Sequence, residues 1–168
     1  MAMKGYLPIV FALGLLLVAP VVTSDDVTVT ATVAGYVSAT FNFNTVNFGT
    51  LNAGTSDNPA PNQDTGVYNV TVDANADYQI EVSGTEFTGQ GSGVTFPPEN
   101  LKIDTADSPT GLNLTEAASV PTSPGTQLVD IYSADVTTNY YGFWLTIPSG
   151  QLADTYTSTV TITYSLSS

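Results

Sequence analysis

Residues 155–166 place Thr155, Thr157, Thr159, Thr161, Thr163 and Ser165 on one parity and Tyr156, Ser158, Val160, Ile162, Tyr164 and Leu166 on the other. Successive side chains of an extended chain point to opposite faces. A two-residue period of β-branched and aromatic residues therefore specifies a strand with one apolar and one hydroxyl-covered face. Residues 26–33 repeat the pattern, with Val27, Val29, Ala31 and Val33 alternating with Thr28, Thr30 and Thr32. Both ends of the chain are thus built to lie in sheets.

Between the ends the same period recurs. Residues 36–43 set Val37, Ala39, Phe41 and Phe43 against Tyr36, Ser38, Thr40 and Asn42, and Gly35 separates them from the first run, where a bend or bulge is allowed. Further strands are predicted over 46–51, 67–72, 78–82, 128–132 and 139–147. The turn Asp73-Ala74-Asn75-Ala76-Asp77 predicts a β-hairpin between two of them. Residues 84–127 are loosened by Gly89, Gly91 and Gly93 and interrupted by Pro97, Pro98 and Pro109, which predicts edge strands and long loops, with a short strand at 101–103. No helical period follows residue 24. Strands of this number and spacing define an all-β chain, a single antiparallel two-layer β-sandwich. Its predicted core is Val37, Phe41, Phe43, Val70, Val72, Ile80, Val82, Phe143, Leu145, Val160 and Ile162.

Residues 1–24 read as a secretory signal peptide: Lys4 supplies the charged start, 6–22 are apolar apart from glycine and two prolines, and Val22-Thr23-Ser24 ends in small residues. Pro8 and Pro20 bracket a run shorter than the ~20 residues a spanning helix needs, so the membrane is met only during export. Cleavage leaves residues 25–168, the length of one domain. Lys102 is then the sole basic residue against 15 acidic ones, and nucleic acid is excluded as a partner because nothing can neutralise its phosphates. With no cysteine there is no disulfide framework, and stability must come from sheet packing, subunit contacts or bound ions.

Histidine, cysteine and arginine are all absent, so the usual nucleophile and base pairs are missing and only carboxylates scattered through turns remain. The chain reads as a non-enzyme without an organic cofactor. Asp73, Asn75 and Asp77 match the first half of a calcium loop, although Tyr78 stands where such a loop needs glycine and Gly84 where it needs glutamate; a solvated turn explains the same residues. The pairs Asp57 and Asp64, and Asp104 and Asp107, are weaker calcium candidates. In 139–147, Tyr141, Phe143, Leu145 and Ile147 share one face, leaving Tyr140 and Trp144 on the other as a platform for a sugar ring or a second subunit, or as rings under a covering loop. Asn69 and Asn113 head the sequons Asn-Val-Thr and Asn-Leu-Thr, candidate glycosylation sites on an exported chain, with Asn113 favoured by its loop position.

The run Asn47-Phe48-Gly49-Thr50-Leu51-Asn52-Ala53-Gly54-Thr55, followed downstream by Ile147-Pro148-Ser149-Gly150-Gln151 and Tyr156-Thr157-Ser158-Thr159-Val160-Thr161-Ile162, resembles secreted β-sandwich surface proteins of the spore coat protein U type and related pilus subunits. It is also similar to the β-sandwich subunits of archaeal surface threads and bundling pili, and the lack of cysteine favours that branch. The resemblance implies an immunoglobulin-like or pilin-like sandwich at the cell surface and assembly into a homopolymer by donor-strand exchange. Val27, Val29, Ala31 and Val33 have the form of the donor strand, and Gly35 of its hinge; the same strand can instead complete its own sandwich. Lys4-Gly5-Tyr6-Leu7-Pro8 also resembles the processing region of archaeal type IV pilins, which implies retention of the apolar helix. A monomeric module binding carbohydrate or calcium is the alternative of another class.

Overall fold

The computed structural model describes residues 30–167. The expected signal peptide and pilin-type processing region lie outside them. The chain divides into Met1–Val33 and Ala34–Ser168. In the first unit the described residues, 30–33, are exposed and belong to no strand.

The second unit is all β. Its strands are β1 (Val37–Phe41), β2 (Asn58–Pro59), β3 (Asn69–Ala74), β4 (Tyr78–Gly84), β5 (Phe87–Gly89), β6 (Thr95–Phe96), β7 (Leu101–Ala106), β8 (Ala118–Ser119), β9 (Gln127–Tyr132), β10 (Thr138–Leu145), β11 (Tyr156–Thr157) and β12 (Val160–Leu166). A six-stranded sheet runs β1-β3-β10-β7-β8, with β2 also on β10; it faces a three-stranded sheet β12-β4-β9. A small sheet β11-β5-β6 continues from the second layer. Every ladder between strands is antiparallel. The molecule is the antiparallel β-sandwich its periodicity predicts. Among the described residues no helix is long and apolar enough to cross a membrane.

Four expectations are corrected. Residues 73–77 do not close a hairpin: β3 pairs β1 and β10, whereas β4 pairs β12 and β9. The turn is an arch between layers, because Val70 and Val72 on one side and Ile80 and Val82 on the other bury their faces against each other rather than side by side. Residues 155–166 form two strands, not one. At the break Thr85 N donates to Thr159 O at 3.0 Å, Thr159 N to Thr85 Oγ1 at 3.0 Å and Ser158 Oγ to Thr85 O at 2.6 Å, so local hydroxyls satisfy the backbone where the ladder stops. Residues 101–106 are a full strand inside the six-stranded sheet, paired with both β10 and β8. Residues 46–51 form no strand, although Val46, Phe48 and Leu51 pack on the core.

Tyrosine hydroxyls tie the layers together. Tyr78 Oη donates to Asn139 Oδ1 at 3.0 Å and Val136 O at 3.1 Å, Tyr164 Oη donates to Asn139 Oδ1 at 3.3 Å, and the Tyr141 and Tyr164 hydroxyls lie 2.6 Å apart. Burial pushes all three phenols up, most strongly Tyr141, so they remain protonated donors.

The small sheet depends on one carboxylate. Asp154 accepts from the Ser92 hydroxyl and N–H, both at 2.7 Å, and from the N–H groups of Gly91 and Thr155. These bonds, the Ser92 hydroxyl first, hold its pKa at about 2, below the ordinary 3.8. Because the folded value is depressed, the stabilisation is present above pH 3.8 and lost as pH falls through about 2. Asp154→Ala is expected to loosen residues 89–94 at neutral pH, read as faster hydrogen exchange there, with the difference from the parent vanishing near pH 2.

Candidate functional site

Both layers end on the same side, the larger sheet at β1 and the smaller at β12. Phe41 of β1 meets Tyr164 of β12 edge to face, ring centroids 6.0 Å apart. Register puts Val160, Ile162, Tyr164 and Leu166 beside Gly84, Val82, Ile80 and Tyr78. Those neighbours on β4 are fully buried, yet on β12 the same face is only half covered and Leu166 is 40% exposed. Across the gap, Val37 and Ala39 are half-buried and Phe41 is 40% exposed beside Val72 and Val70, which are buried. Of the predicted core, Val70, Val72, Ile80, Val82, Phe143 and Leu145 are buried. Those not fully covered, Val37, Phe41, Phe43, Val160 and Ile162, all lie on β1, on β12 or just after β1. The interior is open along one seam.

The outer edge of β12 pairs with no strand among the described residues. An antiparallel edge strand presents the N–H and C=O groups of alternate residues, and proteins usually blunt such edges with charge, proline or a bulge. β12 has none of these over seven residues. The opposite edge, β9, is blunted: its register with β4 shifts between Ile80 and Glu81, and it carries Asp130. The tyrosine bonds to Asn139 and Tyr141 hold β12 in place from within.

The predicted site residues fall in several places. Val27 and Val29 lie outside the described residues; Ala31 and Val33 are exposed, Val33 by 81%. Asp73, Asn75 and Asp77 do not converge on a common centre. Asp73 Oδ1 accepts from the Tyr36 hydroxyl at 2.9 Å, Asn75 Oδ1 from Tyr36 N at 2.7 Å and Asp77 Oδ1 from Ala134 N at 3.3 Å, while Asn75 Nδ2 donates to Ala34 O at 3.0 Å. The polar atoms of Asp73 and Asn75 stitch the entry of β1 to the arch, and Asp77 ties the arch to the segment after β9. No group of three or more acidic ligands suited to a metal occurs among the described residues. Asp57 instead pairs with Lys102 at 3.0 Å, and burial pushes Asp104 up.

The aromatic platform needs correction. Trp144 is 7% exposed, its ring lying over Gly142, where a Cβ would come within 2.4 Å of Cη2; Tyr140 is half-buried against Gly66. A glycine on the same strand gives the indole room to fold down, so no open ring pair is presented. Asn69 is half-buried on β3, donating to Gly66 O at 2.8 Å and accepting from Asn42 Nδ2 at 2.5 Å. Asn113 is exposed in a loop, its Oδ1 accepting from Thr115 N at 3.0 Å and Thr115 Oγ1 at 2.9 Å.

Sequence reasoning missed the interior role of the Tyr78 and Tyr164 hydroxyls; the signal available was their position on the apolar parity of their strands. No protein-family model matches the chain, and no curated protein matches it significantly.

Proposed function

We propose that this chain is the exported, non-catalytic structural subunit of an extracellular filament, assembled when residues 27–33 of one copy fill the open seam beside β12 of the next. The observation that carries this reading is the position of the half-covered core residues, Val37, Phe41, Phe43, Val160 and Ile162, along one seam bounded by an unguarded edge strand.

The donor and acceptor match in length and parity. A strand advances about 3.3 Å per residue, so the seven residues of β12 and the equal run 27–33 both span about 20 Å. Val27, Val29, Ala31 and Val33 then stand level with Val160, Ile162, Tyr164 and Leu166, while Thr28, Thr30 and Thr32 continue the hydroxyl face of Thr161, Thr163 and Ser165. Burying one valine contributes about 1.5–3 kcal/mol, against about 1–2 kcal/mol to order the backbone of each residue. Side-chain burial and ordering are thus of the same order. The further stabilisation comes from the main-chain ladder along β12 and from covering Phe41 and Leu166.

The test is a mature chain lacking residues 25–34, examined by electron microscopy and light scattering beside the full mature chain. The full chain is expected to form fibres. The truncated chain is expected to form none, and a peptide of residues 25–34 is expected to raise its melting temperature. Fibres of the same form from the truncated chain would contradict the proposal.

A further inference from the structure

The chain holds two Asn-x-Thr sequons, at Asn69 and Asn113, and the fold treats them differently. Asn69 lies on β3, which is paired on both sides, with β1 and with β10. Its Nδ2, the atom an N-linked sugar would occupy, donates to Gly66 O at 2.8 Å. Asn42 Nδ2, just after β1, donates to Asn69 Oδ1 at 2.5 Å and to Thr71 Oγ1 at 3.4 Å. The amide and the hydroxyl of this sequon are thus both engaged within the sheet.

Asn113 and Thr115 are exposed in the loop between β7 and β8. The main chain there is fixed: Asn113 N donates to Oδ2 of the buried Asp104 at 2.7 Å, and Glu116 N donates to Asn113 O at 3.2 Å. Asn113 Oδ1 accepts from Thr115 N at 3.0 Å and from Thr115 Oγ1 at 2.9 Å, while its Nδ2 makes no hydrogen bond among the described residues. An amide nitrogen is a poor nucleophile because its lone pair is shared with the carbonyl. Two donors on the oxygen stabilise the charge that gathers there as Nδ2 gives up a proton, so this sequon is held ready for transfer and the other is not.

We propose that Asn113 carries an N-linked oligosaccharide, added once the sandwich has formed, and that Asn69 carries none. Nδ2 loses one proton and bonds the anomeric carbon of a sugar held on a lipid-linked phosphate; the sugar–phosphate bond breaks and the phosphate leaves with its electron pair. Asp104, which anchors the loop, alternates with the buried Ile103 and so lies on the outer parity of β7, three strands from β1 in the sheet, about 14 Å at the usual spacing. A glycan there projects from the flank of the subunit and leaves the seam between β1 and β12 clear. The inference rests on the export in the reading above, not on strand exchange.

Within residues 5–168 trypsin has one cleavage site, after Lys102, which parts Asn69 from Asn113. The test is mass spectrometry of the chain isolated from its own cells, unfolded and cleaved there. Fragment 103–168 is expected above its sequence mass by whole sugar residues in most copies, and the fragment ending at Lys102 is expected to carry no sugar. In Asn113→Gln the excess is expected to vanish while fibres form as in the parent. Fragment 103–168 at its sequence mass, an excess that persists in Asn113→Gln, or sugar on the fragment holding Asn69 would overturn the proposal. Fibres from a chain without the glycan would leave the filament reading standing, whereas a glycosylated chain that forms no fibres would contradict the filament reading alone.

Discussion

Val29→Asp is expected to abolish fibre formation at concentrations where the parent chain assembles, while Thr30→Asp assembles normally. The two positions are neighbours and the substitutions introduce the same charge, but side chains one residue apart occupy opposite faces of a strand. At position 29 the carboxylate would enter the seam among Val160, Ile162 and Tyr164, where it meets no basic group; the sole basic residue within 25–168, Lys102, is paired with Asp57. Burying an unpaired carboxylate costs several kcal/mol, and about 4 kcal/mol per joint lowers association roughly a thousandfold. At position 30 the charge stays in water on the threonine face. The critical concentration for sedimentable polymer measures both. Equal critical concentrations for the two variants would show that parity within 27–33 does not matter, which the donor-strand account does not allow.

Ile103→Ala is expected to destabilise the folded subunit by about 2–5 kcal/mol in denaturant melting, whether or not the protein has assembled. Ile103 is fully buried on β7, between Phe143 of β10 and Ala118 of β8 in the ladder, so truncation removes packed methyl groups and leaves a void the sheet cannot close. Ile131→Ala, at an edge-strand position 54% exposed, is expected to change stability by less than about 0.5 kcal/mol. A loss of less than about 1 kcal/mol at Ile103 would mean that residues 101–106 do not lie inside the sheet.

The contrast between those residues also marks how far the sequence could be read. Where alternation is long and both parities are chemically distinct, as at 160–166 and 36–41, strand and face follow directly from the residues. The local pattern supports only a short strand at 101–103, where Leu101 and Ile103 alternate with Lys102 and Asp104 in a stretch surrounded by glycine and proline; tertiary pairing on both sides, absent from that pattern, makes 101–106 a central strand. The residues at 73–77 suit a hairpin and an arch alike, since Asp and Asn turns serve both and only the choice of layer separates them. Parity sets Trp144 and Tyr140 on one face, yet it is blind to Gly142, which lets the Trp144 ring lie down on its own strand.

The candidate seam was legible only in halves. The sequence displayed a donor-like run and an acceptor-like strand, each with the right period. What it could not display was that the half-covered faces of β1 and β12 meet along one seam, because those strands are far apart in the chain and come together only when the layers stack. The side chains of 43–51 alternate in burial as a strand's do, yet among the described residues the segment has no ladder partner, which only the fold shows.

The most direct measurement is the path of residues 27–33 in the assembled fibre, traced in a density map fine enough to separate strands. The account predicts a strand from the preceding subunit lying beside β12, with Val27, Val29, Ala31 and Val33 turned inward toward Val160, Ile162, Tyr164 and Leu166. A map in which those residues complete their own subunit's sheet, or in which subunits join through other surfaces and leave the seam open, would contradict it.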